Sequence, residues 1–213
     1  MAGAEGRGPA GAGPVVRDLA ARVRPAVAAG ARALRVTGPL AGLVPGGGIR
    51  RGATVAVDGP PGTGVTTAAL ALAAAATAAG EWAAVVDPPG TLGALAAAAA
   101  GVDLDRCAVV RHVPADRWPA VVAALLDGVA LVAASVPPRL RPGDARRLVA
   151  RARERAAVLV VTGPWPVEAA VRLHTEAGAW ARTASGLLHA RGLHARVEVH
   201  GTPAPVRLHA AAG

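Results

Sequence analysis

Residues 59–67 read Gly59-Pro60-Pro61-Gly62-Thr63-Gly64-Val65-Thr66-Thr67, which fits the phosphate-loop pattern G-x-x-x-x-G-K-[ST] at every defined position except the lysine, where Val65 stands. An apolar run, Thr54 to Asp58, leads into this segment, and a helix-forming stretch, Thr66 to Ala79, leads out of it. A glycine-rich turn between a buried strand and a helix belongs to an open, largely parallel α/β sheet with helices on its faces. In such a loop the glycines let backbone N–H groups curl around phosphate oxygens at a helix N-terminus. Gly59, Gly62 and Gly64 retain that capacity, Thr66 stands where a hydroxyl would meet a phosphate-bound Mg²⁺, and Thr67 completes the candidate phosphate-binding set. Val65 supplies neither charge nor donor. Losing one preorganised transition-state contact costs on the order of 10²–10³ in rate.

Two further parts of nucleotide chemistry are missing from the neighbouring segments. The buried strand expected over 129–135 ends without Asp or Glu, so no carboxylate is placed to hold Mg²⁺. After the strand at Trp82 to Val86, the turn Asp87-Pro88-Pro89-Gly90 offers only Asp87 to orient a water. The sequence therefore assigns no catalytic residue and requires no cofactor, with residual ATP or ADP binding at the loop left open.

The alternation continues on both sides of the loop. Strands are expected over 54–58, 82–86, 107–110, 129–135 and 157–162, with helices over 66–79, 91–100, 117–127 and 144–155, the last with Asp144 as N-cap. Strands over 179–189 and 194–200, turning at Arg191-Gly192, predict a C-terminal antiparallel hairpin. Residues 1–14 read as a disordered Gly/Ala/Pro segment, 15–34 as a helix, 35–200 as the core and 201–213 as a flexible tail.

The chain of 213 residues suits one domain. Lysine is absent, so all 23 basic residues are arginine, and the formal net charge is +9. That balance allows attraction to nucleic acid or to an acidic partner. Much of the 53% apolar content is alanine, as codon usage in a GC-rich genome would produce. A single cysteine, Cys107, excludes an internal disulfide framework and a cysteine-based zinc site. With no apolar leader and no apolar run long enough to span a bilayer, a cytoplasmic setting without membrane contact is expected.

Arg147, Arg151 and Arg155, at i, i+4 and i+8, share one helix face and form a candidate docking or DNA-backbone surface. Trp165, between Pro164 and Pro166, is a candidate exposed anchor for a partner, whereas Trp82 and Trp180 read as core. His189, His194 and His200 cluster in the expected hairpin without carboxylate or cysteine partners, so no metal site is assigned.

The order of these features resembles the RecA-like recombinase core. The lead-in Leu43-Val44-Pro45-Gly46-Gly47-Gly48-Ile49-Arg50-Arg51-Gly52 is similar to the approach to the RecA loop, and Ala100-Gly101-Val102-Asp103-Leu104-Asp105 to the segment after its second helix. On this resemblance Ala134, in Val132-Ala133-Ala134-Ser135-Val136, stands at the magnesium-binding aspartate, Pro89 near the catalytic glutamate, and Thr162-Gly163 at the nucleotide-sensing pair. The segments from Trp118 to Val129 and from Asp144 to Leu148 resemble the shortened ImuA-type proteins of actinobacteria, which are encoded with an inactive Y-family polymerase homologue and an error-prone replicative-type polymerase. The resemblance spans roughly residues 35–200. It implies a non-catalytic RecA-like adaptor in damage-induced translesion synthesis, with polymerase-like partners in a mutasome complex and only indirect or weak DNA contact. A P-loop ATPase that recruits a basic residue from elsewhere (Arg50 and Arg51 are candidates), or a DNA-binding recombinase-like protein, are the alternatives.

Overall fold

The computed structural model describes residues 32–37, 40–41, 44, 47–176, 180–182, 188–191, 194–199 and 202–207. Two short strands, β1 (Ala33–Arg35) and β2 (Gly48–Arg50), pair antiparallel and lead into the sheet. The main chain then alternates as β3 (Thr54–Asp58), α1 (Val65–Ala78), β4 (Ala83–Asp87), α2 (Ala94–Ala99), β5 (Cys107–Arg111), α3 (Trp118–Leu126), β6 (Leu131–Ser135), α4 (Pro142–Arg155) and β7 (Val158–Thr162). Five strands follow: β8 (Val171–Glu176), β9 (Trp180–Arg182), β10 (Leu188–Arg191), β11 (His194–Val199) and β12 (Thr202–Arg207).

Eight strands form one sheet in the order β12-β11-β8-β3-β7-β6-β4-β5. Every pairing from β8 to β5 is parallel, and β11 and β12 add an antiparallel hairpin at one edge. The central strands β3, β6 and β7 are apolar on both faces, as a doubly covered parallel sheet requires. Successive side chains of each strand enter opposite cores. Val55, Val57, Leu131, Ala133, Val158 and Val160 pack with α1 in one cluster. Ala56, Val132, Ala134, Leu159 and Val161 pack with α3 and α4 in the other.

The helices differ according to what they face. Buried positions run round most of α1, and its alanines bring it close to the sheet. In α4 only Ala145, Leu148 and Ala152 are buried, a single stripe at helical spacing, and the arginines occupy the rest. Pro142 opens α4 in the first turn, so Asp144 lies inside that turn and is not the N-cap. Its carboxylate there favours the helix dipole.

Several expectations are corrected at the ends of the chain. Ala33 and Leu34, expected to finish the helix over 15–34, form β1 instead; the rest of that segment and residues 1–14 lie outside the described residues. The strand at 194–199 does not pair with a strand over 179–189. It is held between β8 and β12, while β9 and β10 form a separate pair. The tail expected to be flexible from residue 201 contains β12. Strand β8 was missed although its sequence carries the signal: Val171, Leu173 and Thr175 are buried and alternate with Arg172, His174 and Glu176.

Candidate functional site

At the carboxyl ends of β3 and β7 the loop opens a cleft of about 790 Å³, lined by residues 58–62, 64–67, 162–165 and Arg172. The backbone there depends on glycine. Gly59, Gly62 and Gly64 have φ of 153°, 77° and 98°, all in the region that L side chains avoid. Gly64 is the N-cap of α1, and no side chain caps the helix. The first-turn N–H groups of α1 thus lie along the cleft beside Val65, Thr66 and Thr67, as the phosphate-loop pattern requires.

Side chains hold this loop to the sheet. The Thr63 hydroxyl lies 2.7 Å from the Pro60 carbonyl oxygen and 2.7 Å from the Thr175 hydroxyl on β8. The Thr175 hydroxyl is also 3.2 Å from the Asp58 carbonyl oxygen, so loop and β8 are tied through a buried pair of threonines. Sequence reasoning did not find Thr63 or Thr175, because their meeting depends on β8 lying beside β3.

Among the described residues the one cation in the cleft lining is Arg172, also missed. Parallel pairing sets Ala56 opposite Arg172 and Asp58 opposite His174, which brings Arg172 and His174 to the Asp58 carboxylate; Asp58 and Arg172 line the cleft. Arg172 donates to Asp58 at 3.2 Å, and His174 Nδ1 lies 2.5 Å from the other carboxylate oxygen. Arg50 and Arg51 do not approach the loop. They precede β3, at the opposite end of the strand, and Arg51 forms a two-pronged pair with Glu81 there.

The positions around the loop are occupied as follows. Ala134 is buried in the core, and Ser135 accepts a hydrogen bond from Thr162 at 3.2 Å. The buried Asp87 carboxylate accepts the Leu92 N–H at 2.7 Å and so closes the turn after β4. Trp165 lines the cleft but is only 6% exposed. It is a core residue, contrary to its reading as an exposed anchor, because the turn after β7 folds it into the α3–α4 face. Its indole N–H is buried with no hydrogen-bond partner among the described residues.

A family model described as the MT3502 N-terminal domain matches residues 42–167. The chain belongs to that family. No curated protein matches it. The MT3502 N-terminal domain match covers more than half of the chain, running from before β2 through the phosphate loop to just past Trp165, and leaves β8 and the strands after it outside.

Within the MT3502 N-terminal domain, the arginine face of α4 is largely satisfied from inside the molecule. Arg151 grips Asp127, just past α3, with two hydrogen bonds of 2.6 Å, and Arg155 adds a third of 3.1 Å. The hydrogen bond that Arg151 donates to Asp127 raises its pKa above the usual value. Arg147 pairs with Asp144 at 3.2 Å. This cluster fastens α4 to the end of α3. Asp127→Ala is expected to lower stability by about 1 kcal/mol or less, since both partners are a third exposed and screened by solvent. Urea denaturation in low and high salt checks this, and the loss should shrink as salt rises.

The side chains of Trp180, His189, His194 and His200 lie outside the described residues. Among the described residues no cluster of histidine, cysteine and carboxylates could hold a metal ion, and no helix is long and apolar enough to cross a membrane.

Proposed function

We propose that this chain is a RecA-like, ImuA-type adaptor that works without nucleotide turnover in damage-induced translesion synthesis. One observation carries the non-catalytic reading: Val65 stands where a phosphate-loop lysine would, and the one cation in the cleft lining among the described residues, Arg172, is paired with Asp58. Nucleotide with Mg²⁺ fits the residues poorly. Val65 offers no charge, Ala134 no ligand, and the Asp87 carboxylate is engaged by Leu92 N–H. The Asp58 carboxylate in the cleft lining opposes a triphosphate, and Arg172, the one cation in that lining, is already paired with it. The strand order supports the RecA-like reading, since β3 lies inside a parallel sheet with β6 one strand beyond its neighbour β7. The role in translesion synthesis and the polymerase-like partners come from the resemblance across residues 35–200.

Calorimetric titration with Mg·ATP is expected to show no binding in the micromolar range. Micromolar binding that disappears in Thr66→Ala would overturn the nucleotide-independent reading. Recovery of polymerase-like proteins with the tagged chain from DNA-damaged cells is the matching test of the adaptor role, and their absence would remove it. One observation favours a second reading, a nucleotide-dependent loop with a recruited cation: Arg172 lines the cleft. In that case Arg172→Ala would abolish whatever nucleotide binding the titration detects.

A further inference from the structure

A second cleft, of about 940 Å³, lies at the amino end of β3, away from the phosphate loop. Its lining includes Arg50, Arg146 and Arg153 around an aliphatic surface that takes in Val149, Val167 and Val171. Close backbone packing builds this rim. Gly52, in the turn between β2 and β3, has φ 78°, and a Cβ there would sit 3.0 Å from the Arg153 Cα. The turn is therefore pressed against the last residues of α4, which brings arginines from two parts of the chain to one opening.

The charges at this cleft differ from those on the opposite side of α4. Arg147, Arg151 and Arg155 are paired with Asp144 and Asp127, whereas Arg50, Arg146 and Arg153 are exposed and have no ion-pair partner among the described residues. One carboxylate, Glu168, lies in the lining among these cations. Thr54, at the start of β3, also lines the cleft, and its buried hydroxyl has no hydrogen-bond partner among the described residues. Unpaired like charges around a concave surface attract an anionic ligand.

We propose that this cleft binds an acidic peptide segment of a partner protein, with carboxylates on Arg50, Arg146 and Arg153 and aliphatic side chains over Val149, Val167 and Val171. Charge decides among the occupants. A second copy of this chain, with net charge +9, is poorly matched to a basic rim. So is the chain's own segment over 1–31, which joins beside Arg51 and carries four arginines against two acidic residues. Nucleic acid is disfavoured because the lining contains no aromatic side chain for base stacking, and a phosphodiester backbone would leave the aliphatic surface uncovered. Calling the occupant a partner rests on the adaptor reading; the binding itself is measured separately.

Fluorescence anisotropy of the full chain at low salt tests the proposal, using a short labelled peptide of alternating glutamate and leucine. Competitors are its glutamine–leucine counterpart and a single-stranded oligonucleotide. The acidic probe is expected to bind, and the glutamine version to bind at least about tenfold more weakly. Arg146→Glu and Arg153→Glu should each weaken the probe by on the order of tenfold. Arg147→Glu, the same charge change at a residue outside the cleft lining, should weaken it clearly less than either. Arg146→Gln provides a milder variant, and circular dichroism checks that each protein is folded. Absence of probe binding, an equal loss in Arg147→Glu, or displacement of the probe by the oligonucleotide in preference to the acidic peptide would overturn the proposal. None of these outcomes bears on the Mg·ATP titration, so the cleft and the loop are judged independently.

Discussion

Gly59→Ala is expected to lower the free energy of unfolding by about 3 kcal/mol or more, combining backbone strain with overpacking. Gly59 has φ 153°, and an added Cβ would stand 2.2 Å from the Thr175 hydroxyl, 2.5 Å from the Thr175 carbonyl oxygen and 2.8 Å from the Thr63 hydroxyl. The carbonyl belongs to β8, which pairs with β3 on one side and β11 on the other, so it has no room to retreat. The hydroxyls can turn only by breaking the bond that holds the loop to the sheet. Gly93→Ala is the control, because nothing lies within 4 Å of its added Cβ and its φ is ordinary. Urea denaturation followed by far-ultraviolet circular dichroism compares the two. A Gly59→Ala midpoint equal to that of wild type would mean that the loop does not adopt the conformation described. A loss of this size is a large share of the stability of an ordinary domain.

Trp165→Ala should cost about 3–5 kcal/mol, the usual result of emptying an aromatic site in a core. Trp165→Phe keeps most of the apolar bulk and removes an indole N–H that is buried without a partner, so it should come much closer to neutral. The pair of variants separates two readings of one residue. An exposed partner anchor would tolerate alanine in the isolated chain and lose affinity only in a complex. At 6% exposure Trp165 belongs to the α3–α4 core, and the cost should appear in the melting temperature of the chain alone. An unchanged melting temperature in Trp165→Ala would restore the anchor reading.

The strand–loop–helix unit was legible because it is local. The apolar run at 54–58, glycines at 59, 62 and 64, and the alanine-rich helix act on neighbouring backbone, and each appears within one or two residues of its expected place. The alternation of β8 was equally local, but the run Val171 to Glu176 was read as part of a link. Helix α2 is shorter than its alanine content suggests, covering only Ala94–Ala99. Alanine favours a helix without stating where it stops.

The sequence by itself determined a parallel α/β sheet, a glycine-built loop at the carboxyl end of β3, and the absence of a lysine at position 65. Tertiary structure alone decided what surrounds that loop and which arginines are free. Thr175 and Arg172 reach it because β8 pairs with β3 across more than a hundred residues of chain. Arg151 and Arg155 are engaged because Asp127 follows α3, while Arg146 and Arg153 of the same helix line a cleft and form no ion pair among the described residues, although Glu168 shares that lining. Periodicity places side chains on a face, but a charge is satisfied or left free by whatever the packing of distant segments brings against that face.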